Sequence, residues 1–427
     1  MSEERGADVV VVGAGLAGLR AARDLAEAGH RVVVLEARDR VGGRGWTSAF
    51  PGTDLAIELG GAWYTDEQRE VATEVERYGL PVRTFDPVTS TRWLVDGELR
   101  TGAPYADDDR ASAAAWQRIE DDVAALAAGV EEPRFRLSLV DYLDVVDATP
   151  AVADLMHGWW TITGGGDPSA GCVEGILGSE NRDHAIGDFS YLHLAPATGW
   201  SALAEAMAAS PGVVVRLGTP ATGVVQDDDG VTVTTADGDR RARAAVLAVP
   251  LNVLPDLELD PPAPEPARAG FGANAGTAVK VWLLTRGVPV GSLAFGRGRG
   301  VHLLYGDRPY GADGEQTLVV GFGWRATGFD PTSTAHLQAA LTAFHPDAEL
   351  VAHTTHDWID DPASRGTWVT SPAGRPELVE PERFGLHGRV AFATSDIAPD
   401  QSGWFEGALV SGSAAARALL ELLGPSD

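Results

Sequence analysis

The chain has 427 residues, 44% of them hydrophobic and 22% charged, the balance of a globular protein long enough to bury a sizeable core. Its 61 acidic and 33 basic residues give a formal net charge of −28, a field that repels nucleic acid and anionic membranes and attracts cations, protonated amines among them. One cysteine, Cys172, excludes an intramolecular disulfide and any thiolate cluster for zinc or iron–sulfur. No stretch approaches the roughly 20 apolar residues of a membrane helix, and the first apolar run is too short for a signal-peptide core, so a cytoplasmic protein is expected.

Residues 7–12 are valine-rich and nearly continuous, the pattern of a parallel strand buried on both faces. Residues 16–28 place Leu16, Leu19, Ala22, Leu25 and Ala26 at helical spacing and stop at Gly29, and residues 31–35 read as a second buried strand. Together they have the length of a βαβ-type unit. A long amphipathic helix is predicted over 107–128, with Trp116, Ile119, Val123 and Leu126 on one side. Strands are predicted over 213–217, 224–226, 231–235 and 244–249, with turns at Asp229-Gly230 and Asp237-Gly238. The cluster Pro255, Pro261, Pro262, Pro264 and Pro266 reads as a crossover linker, a strand follows over 277–284, and a helix closes the chain over 405–423. The order predicts an α/β protein, α+β overall. A Rossmann-type domain is expected from residues 1–85, 196–268 and 376–427, interleaved with a mixed-sheet and helical substrate domain from 86–195 and 269–375.

Gly13-Ala14-Gly15-Leu16-Ala17-Gly18 is a GxGxxG set directly between strand and helix. Gly13 permits the tight turn, Gly15 lets a pyrophosphate approach the backbone, and Gly18 allows close helix–strand packing, while the helix N-terminus offers free N–H groups to phosphate. Glu36, ending the second strand, is the acid expected to hydrogen-bond the ribose and to repel a 2′-phosphate. Beyond it, Ala37, Arg38, Gly43 and Arg44 add a glycine pair and arginines able to grip the pyrophosphate, and residues 58–63 (with Gly60, Gly61, Ala62 and Trp63) form a third close-approach segment. Three such contacts suit an extended FAD better than a transient NAD. The clusters Gly270-Phe271-Gly272, residues 296–300 and Gly321-Phe322-Gly323 lack the strand-before, helix-after context and read as turns.

Taken together, these segments resemble the flavin monoamine oxidase family over nearly the whole chain, least clearly between residues 87 and 191. The C-terminal signature is Phe392-Ala393-Thr394-Ser395-Asp396 followed by residues 402–408, similar to the family's flavin-covering loop and the helix aimed at its ring. Residues 356–359, 366–368 and 275–282 look most like the bacterial 6-hydroxy-L-nicotine oxidase-like amine oxidases. The resemblance implies that Lys280 stands where the family keeps a lysine holding a water against flavin N5. It puts Trp368 and Trp404 at the two positions flanking the substrate amine and Trp358 beside the flavin. It implies further cofactor contacts at Ala221, Ser395, Asp396 and Phe405, and a substrate contact at Tyr305. A lysine inside the apolar run 278–282 costs free energy unless paired or functional, or else lies on an exposed edge-strand face. Thr367 occupies the position of the cysteine that tethers FAD in mammalian members, so non-covalent FAD is expected. Thr394 and Asp396 replace the family's glycine and glutamate, which shortens a ribityl or flavin contact. In that family the usual cage residue is tyrosine more often than tryptophan, so two indoles here imply a bulkier, more apolar gate.

The implied reaction is removal of a hydride equivalent from the carbon next to nitrogen, giving an imine that hydrolyses, with O₂ reduced to H₂O₂. A hydrophobic, ring-bearing primary or secondary amine is the expected substrate and a homodimer a candidate assembly. The rivals are an L-amino acid oxidase, a flavin desaturase or cyclase, and a flavin-binding protein without turnover. An amino acid oxidase of this type needs an arginine just after Gly60-Gly61, where Ala62-Trp63-Tyr64 stand instead.

Overall fold

Valine fills every position of the strand Val9–Val12 because both of its faces are covered. In the computed structural model, which describes residues 6–101, 110–179, 189, 192–326 and 328–424, this strand sits at the centre of a five-stranded parallel sheet. The order is Val390–Phe392, Ala244–Leu247, Val9–Val12, Val32–Leu35, Val213–Arg216, with Val9 opposite both Val32 and Ala244. Successive side chains alternate between the faces. Val9 and Val11 pack on the helices Leu16–Glu27, Trp200–Ala208 and Phe405–Leu423. Val10 and Val12 pack on a four-stranded sheet that includes Ala221–Asp227 and Gly230–Thr235. Three distant stretches of sequence thus build one layered unit.

A seven-stranded sheet forms the other half, in the order Glu349–Thr355, Ala278–Arg286, Gln316–Trp324, Leu303–Tyr310, Ser292–Gly296, Ser90–Val95, Glu98–Thr101. Its Val279, Val281 and Leu283 face the helix Thr334–Phe344. The alternate residues, with Trp282 and Leu284, join the large apolar cluster around the helix Pro150–Thr163, where Trp159 and Trp160 are fully buried. Lys280 belongs to that second set by period, and its strand is paired on both sides, so it is no edge strand.

Two expectations need correction. The proline cluster is no linker: it contains a strand, Glu258–Asp260, paired parallel to Ala221–Asp227, and a helix, Glu265–Gly270. Pro266 is accommodated there in the first helical turn, where no intrahelical donor is needed. Likewise Gly321-Phe322-Gly323 is not a turn but the interior of the strand Gln316–Trp324. Its glycines answer to packing: a Cβ on Gly323 would stand 1.9 Å from the Gly300 carbonyl oxygen, and one on Gly321 would stand 2.9 Å from Leu304 and Val281 side-chain atoms. The helix predicted over 107–128 is Arg110–Ala127, its expected start lying outside the described residues. No described helix is long and apolar enough to cross a membrane.

The substitution Gly323→Ala should destabilise the fold by about 1–3 kcal/mol through backbone overpacking. A urea titration followed by tryptophan fluorescence measures it, and an unchanged midpoint would show that the residue 300 loop yields freely.

Candidate active site

A cavity of about 1000 Å³ opens where the parallel strands end, at Val12-Gly13, Leu35-Glu36 and Ala248-Val249, and extends to Lys280 on the large sheet. The carboxyl ends of parallel strands are where such folds hold ligands. Gly13 has φ +103, and a Cβ there would lie 2.5 Å from the Ala248 carbonyl oxygen. Gly18 is equally tight against the Gly13 carbonyl, at 2.1 Å. Gly15 is different: a Cβ on it would meet nothing nearer than Gly43 Cα at 4.0 Å, so its face looks into open cavity. As N-cap of Leu16–Glu27 it has no side-chain cap, leaving the first-turn N–H groups for an anion. The buried Glu36 carboxylate accepts from Ala14 N (2.7 Å) and Arg38 N (2.9 Å), fastening the strand end to the glycine turn while lining the cavity.

Arg44 is the most heavily bonded group of this wall. Its guanidinium donates to the Thr367 carbonyl (2.6 Å), Ser395 Oγ (3.0 Å) and Asp396 Oδ1 (2.6 Å). Asp396 is fully buried behind it and also accepts from Leu251 N (3.0 Å), so it orients Arg44 rather than lining the cavity. Ala14 and Gly18 likewise stand behind the lining, whereas Ala37, Gly43, Ala221 and Ser395 are part of it. Arg38 also lines it, held by Asp361 (2.9 Å) and Ser364 (2.6 Å). Trp358 donates its indole N–H to the Leu59 carbonyl (2.9 Å), and Phe405 stacks on Trp200 at 3.7 Å while filling the space beside Gly61.

At the other wing, Lys280 is buried, and its Nζ donates to the Gly60 carbonyl (2.7 Å). The rings of Trp63, Trp282 and Phe322 surround it at 5.3–5.7 Å. Burial in this apolar surround lowers its pKa, opposed by attraction to Glu58 and Asp307. Trp368 and Trp404 both line the same cavity. The Trp368 ring lies flush on Gly165, where a Cβ would come 2.1 Å from its Nε1; Gly165 has φ +62, so the close approach and the left-handed turn both call for glycine. The indole N–H groups of Trp63 and Trp368 are buried with no acceptor among the described residues. Two orphaned donors on the wall, an open glycine cradle and an uncapped helix end fit an extended dinucleotide flavin with a small organic molecule beyond it.

Tyr305 is placed otherwise. It is fully buried, its hydroxyl donates to the Asp86 carbonyl (2.7 Å), and it is not among the residues lining the cavity. A tyrosine in the middle of a sheet strand turned toward the core satisfies its hydroxyl locally and has no side left for a ligand.

Several residues escaped the sequence reading. Phe322, directly opposite Lys280 across the two strands, lines the cavity. Asn274 is the knot behind Trp368: its Oδ1 accepts from Gly276 N (2.7 Å) and Thr370 N (3.0 Å), and its Nδ2 donates to the Thr367 carbonyl (3.2 Å). Gln68, buried, lines the cavity and donates to Gln401 (2.9 Å) on the loop before Trp404. An uncharged amide flanked by small residues was the one available signal for Asn274.

The family described as flavin containing amine oxidoreductase matches residues 16–420. The chain is 30% identical to a pseudooxynicotine dehydrogenase of Pseudomonas sp, over 95% of this chain and 84% of that protein. It is also 30% identical to the (S)-6-hydroxynicotine oxidase of Paenarthrobacter nicotinovorans, over 97% of this chain and 99% of the other. Among solved structures, wild-type putrescine oxidase bound to putrescine superposes with a TM-score of 0.83 over 97% of this chain and 99% of that one, at 23% identity. The chain therefore belongs to the flavin-containing amine oxidoreductase family and is an FAD-dependent oxidoreductase acting on amines.

Proposed function

We propose that this enzyme oxidises a hydrophobic, aryl-bearing or cyclic primary or secondary amine to its imine, using non-covalently held FAD and passing the electrons to O₂. The observation that carries the reading is that one cavity lining includes the glycine cradle, Lys280, Trp368 and Trp404. FAD, when bound, supplies the hydride acceptor at its N5 position and the route to O₂. Gly13, Gly15, Glu36, Arg38, Gly43 and Arg44 would hold its dinucleotide end. Thr367, in place of a tethering cysteine, supports the non-covalent mode, its hydroxyl bonded within the protein to Ala278 N (3.2 Å).

The protein's own part is to bind, orient and deprotonate. Trp368, Trp404 and Phe322 present aromatic faces that exclude water from the reacting C–H and N–H groups. Such walls capture an ammonium by cation–π attraction yet disfavour its charge once water is gone. Desolvation dominates at the reacting nitrogen, so the amine is held neutral, as loss of hydride requires. Lys280, itself destabilised as an ammonium by burial, is a proton-bearing group on the same wall. The relatives named for 6-hydroxynicotine and pseudooxynicotine support a ring-bearing substrate. Against an amino acid substrate, the described lining holds no arginine besides Arg38 and Arg44, both assigned here to the dinucleotide end.

Anaerobic mixing with a panel of aryl and cyclic amines should bleach the oxidised flavin band with at least one of them, and air should restore it. Bleaching by no amine, with dithionite still effective, favours the desaturase reading. With the reactive amine in hand, Lys280→Met should slow one half-reaction by about tenfold or more, the range of a positioned proton-handling group, in anaerobic stopped flow. The pH profile of kcat should show an ionisation below the free amine's own pKa; an ionisation at or above it contradicts desolvation as the dominant effect. Finally, Asp396→Ala removes the buried counter-charge of Arg44 and should weaken FAD binding by about tenfold or more, measured by flavin titration of the stripped protein.

A further inference from the structure

The turn that delivers Trp404 to the cavity contains two left-handed residues, Gln401 with φ +54 and Gly403 with φ +80. Glycine adopts that region freely, whereas a glutamine there is strained and stays only where its surroundings hold it. Pro399, Asp400 and Ser402 are exposed, so the outer side of the turn is open to solvent. On its inner side Gly403 N donates to the Ser395 carbonyl (2.9 Å) and Trp404 N to the Gln401 carbonyl (3.1 Å). The Gln401 side chain is held from elsewhere: its Oε1 accepts from Nε2 of Gln68 (2.9 Å), 333 residues earlier in the chain. Gln68 is fully buried, caps the start of the helix Arg69–Arg77 and lines the large cavity. Its own Oε1 has no donor among the described residues, so the bond to Gln401 is the one its amide makes there.

A second tie runs the other way. Glu406, in the first turn of the closing helix, accepts from Glu70 N (3.0 Å) and Val71 N (2.9 Å). Two helix starts are thereby fastened to each other, with Trp404 at the N-cap of one of them. Gly403 brings in the other aromatic residue: a Cβ on it would stand 3.3 Å from both Trp368 Cβ and Val369 N. The place of the turn therefore sets the distance between Trp368 and Trp404.

We propose that Gln68 is a positioning residue for this aromatic pair: by holding Gln401 in its left-handed turn it fixes Trp404 relative to Trp368, and so the width of the slot that admits the amine. The use of the slot rests on the reading of the two indoles given above; the positioning does not. Glu406 fixes the axis of the closing helix but not the turn before it, and that part falls to Gln68. A bond donated from a fully buried amide has little water to compete with it, which suits it to holding a strained residue. With the donor gone, Gln401 is free to relax toward the right-handed region, carrying Gly403 off Trp368 and Trp404 with it.

Fluorine NMR of the FAD-loaded protein labelled with fluorotryptophan reads Trp404 directly, with no amine present, its line being the one lost in Trp404→Phe. Gln68→Met, close in size and without the donor, should shift or broaden that line, and Gln401→Met should do the same. The two together should do no more than either alone, since both remove one contact. Gln401→Glu keeps an acceptor for Gln68 and should keep the wild-type line. In anaerobic stopped flow with a reactive amine, the limiting rate of flavin reduction should fall by about tenfold in either methionine variant and recover in Gln401→Glu. Should Gln68→Met not fold, Gln401→Met, on the partly exposed turn, carries the same expectation. A Trp404 line unmoved in the methionine variants overturns the proposal, as does a Gln401→Glu variant that behaves like Gln401→Met. A line that moves as expected in a protein whose flavin no amine bleaches upholds the positioning and tells against the substrate reading alone.

Discussion

One guanidinium holds the site together. Arg44 comes from the glycine-rich N-terminal segment and is bound at once to the Thr367 carbonyl, next to Trp368, and to Ser395 and Asp396 near the C-terminus. Asp396 passes the connection to Leu251, at the end of the parallel sheet. A buried ion pair adds stability only when its remaining hydrogen bonds are satisfied, and its value lies as much in fixing one geometry as in energy. Here those bonds are satisfied, and four distant pieces of sequence are registered to one another within a few ångströms of the cavity. The pair fixes the dinucleotide cradle against the wall bearing Trp368, alongside the bonds of Arg38 to Asp361 and of Trp358 to the Leu59 carbonyl.

The rest of the arrangement follows from how each wing is held. The cradle is made of backbone: Gly13 and Gly18, where a Cβ would strike backbone atoms, Gly15 open to the cavity, a helix end without a cap, and Glu36 tying strand to turn. The other wing is made of side chains, with Lys280 opposite Phe322 on the large sheet and Trp368 on a segment braced by Asn274 and Gly165. Backbone donors suit phosphate, which every dinucleotide has. Aromatic side chains suit an amine whose shape the enzyme can select. The division of labour explains why the substrate wing, and not the cradle, would carry specificity.

The cradle was legible in the sequence because its signals are local. Strand, glycine turn, helix, second strand and acid fall within one short run, and their meanings do not depend on remote partners. The closing helix was readable to the residue, at Phe405–Leu423, because its apolar spacing is long and unbroken. What escaped depends on pairing at a distance. Gly321 and Gly323 looked like punctuation, yet they are strand residues whose missing side chains make room for Leu304, Val281 and Gly300. With them went Phe322, visible as a cavity residue only once the strand is set opposite Lys280. Resemblance suggested Tyr305 as a substrate contact, but its hydroxyl belongs to Asp86, a partnership 219 residues apart.

The central claim is that flavin and amine share one cavity, the amine lying against Trp368 and Trp404. An unreactive amine analogue titrated into the FAD-loaded protein tests it through the visible flavin spectrum. The account predicts a saturable perturbation in the wild type that disappears in the Trp368→Ala/Trp404→Ala double variant while bound FAD remains stoichiometric. The same perturbation, at the same affinity, in the double variant would place the amine elsewhere and contradict the account.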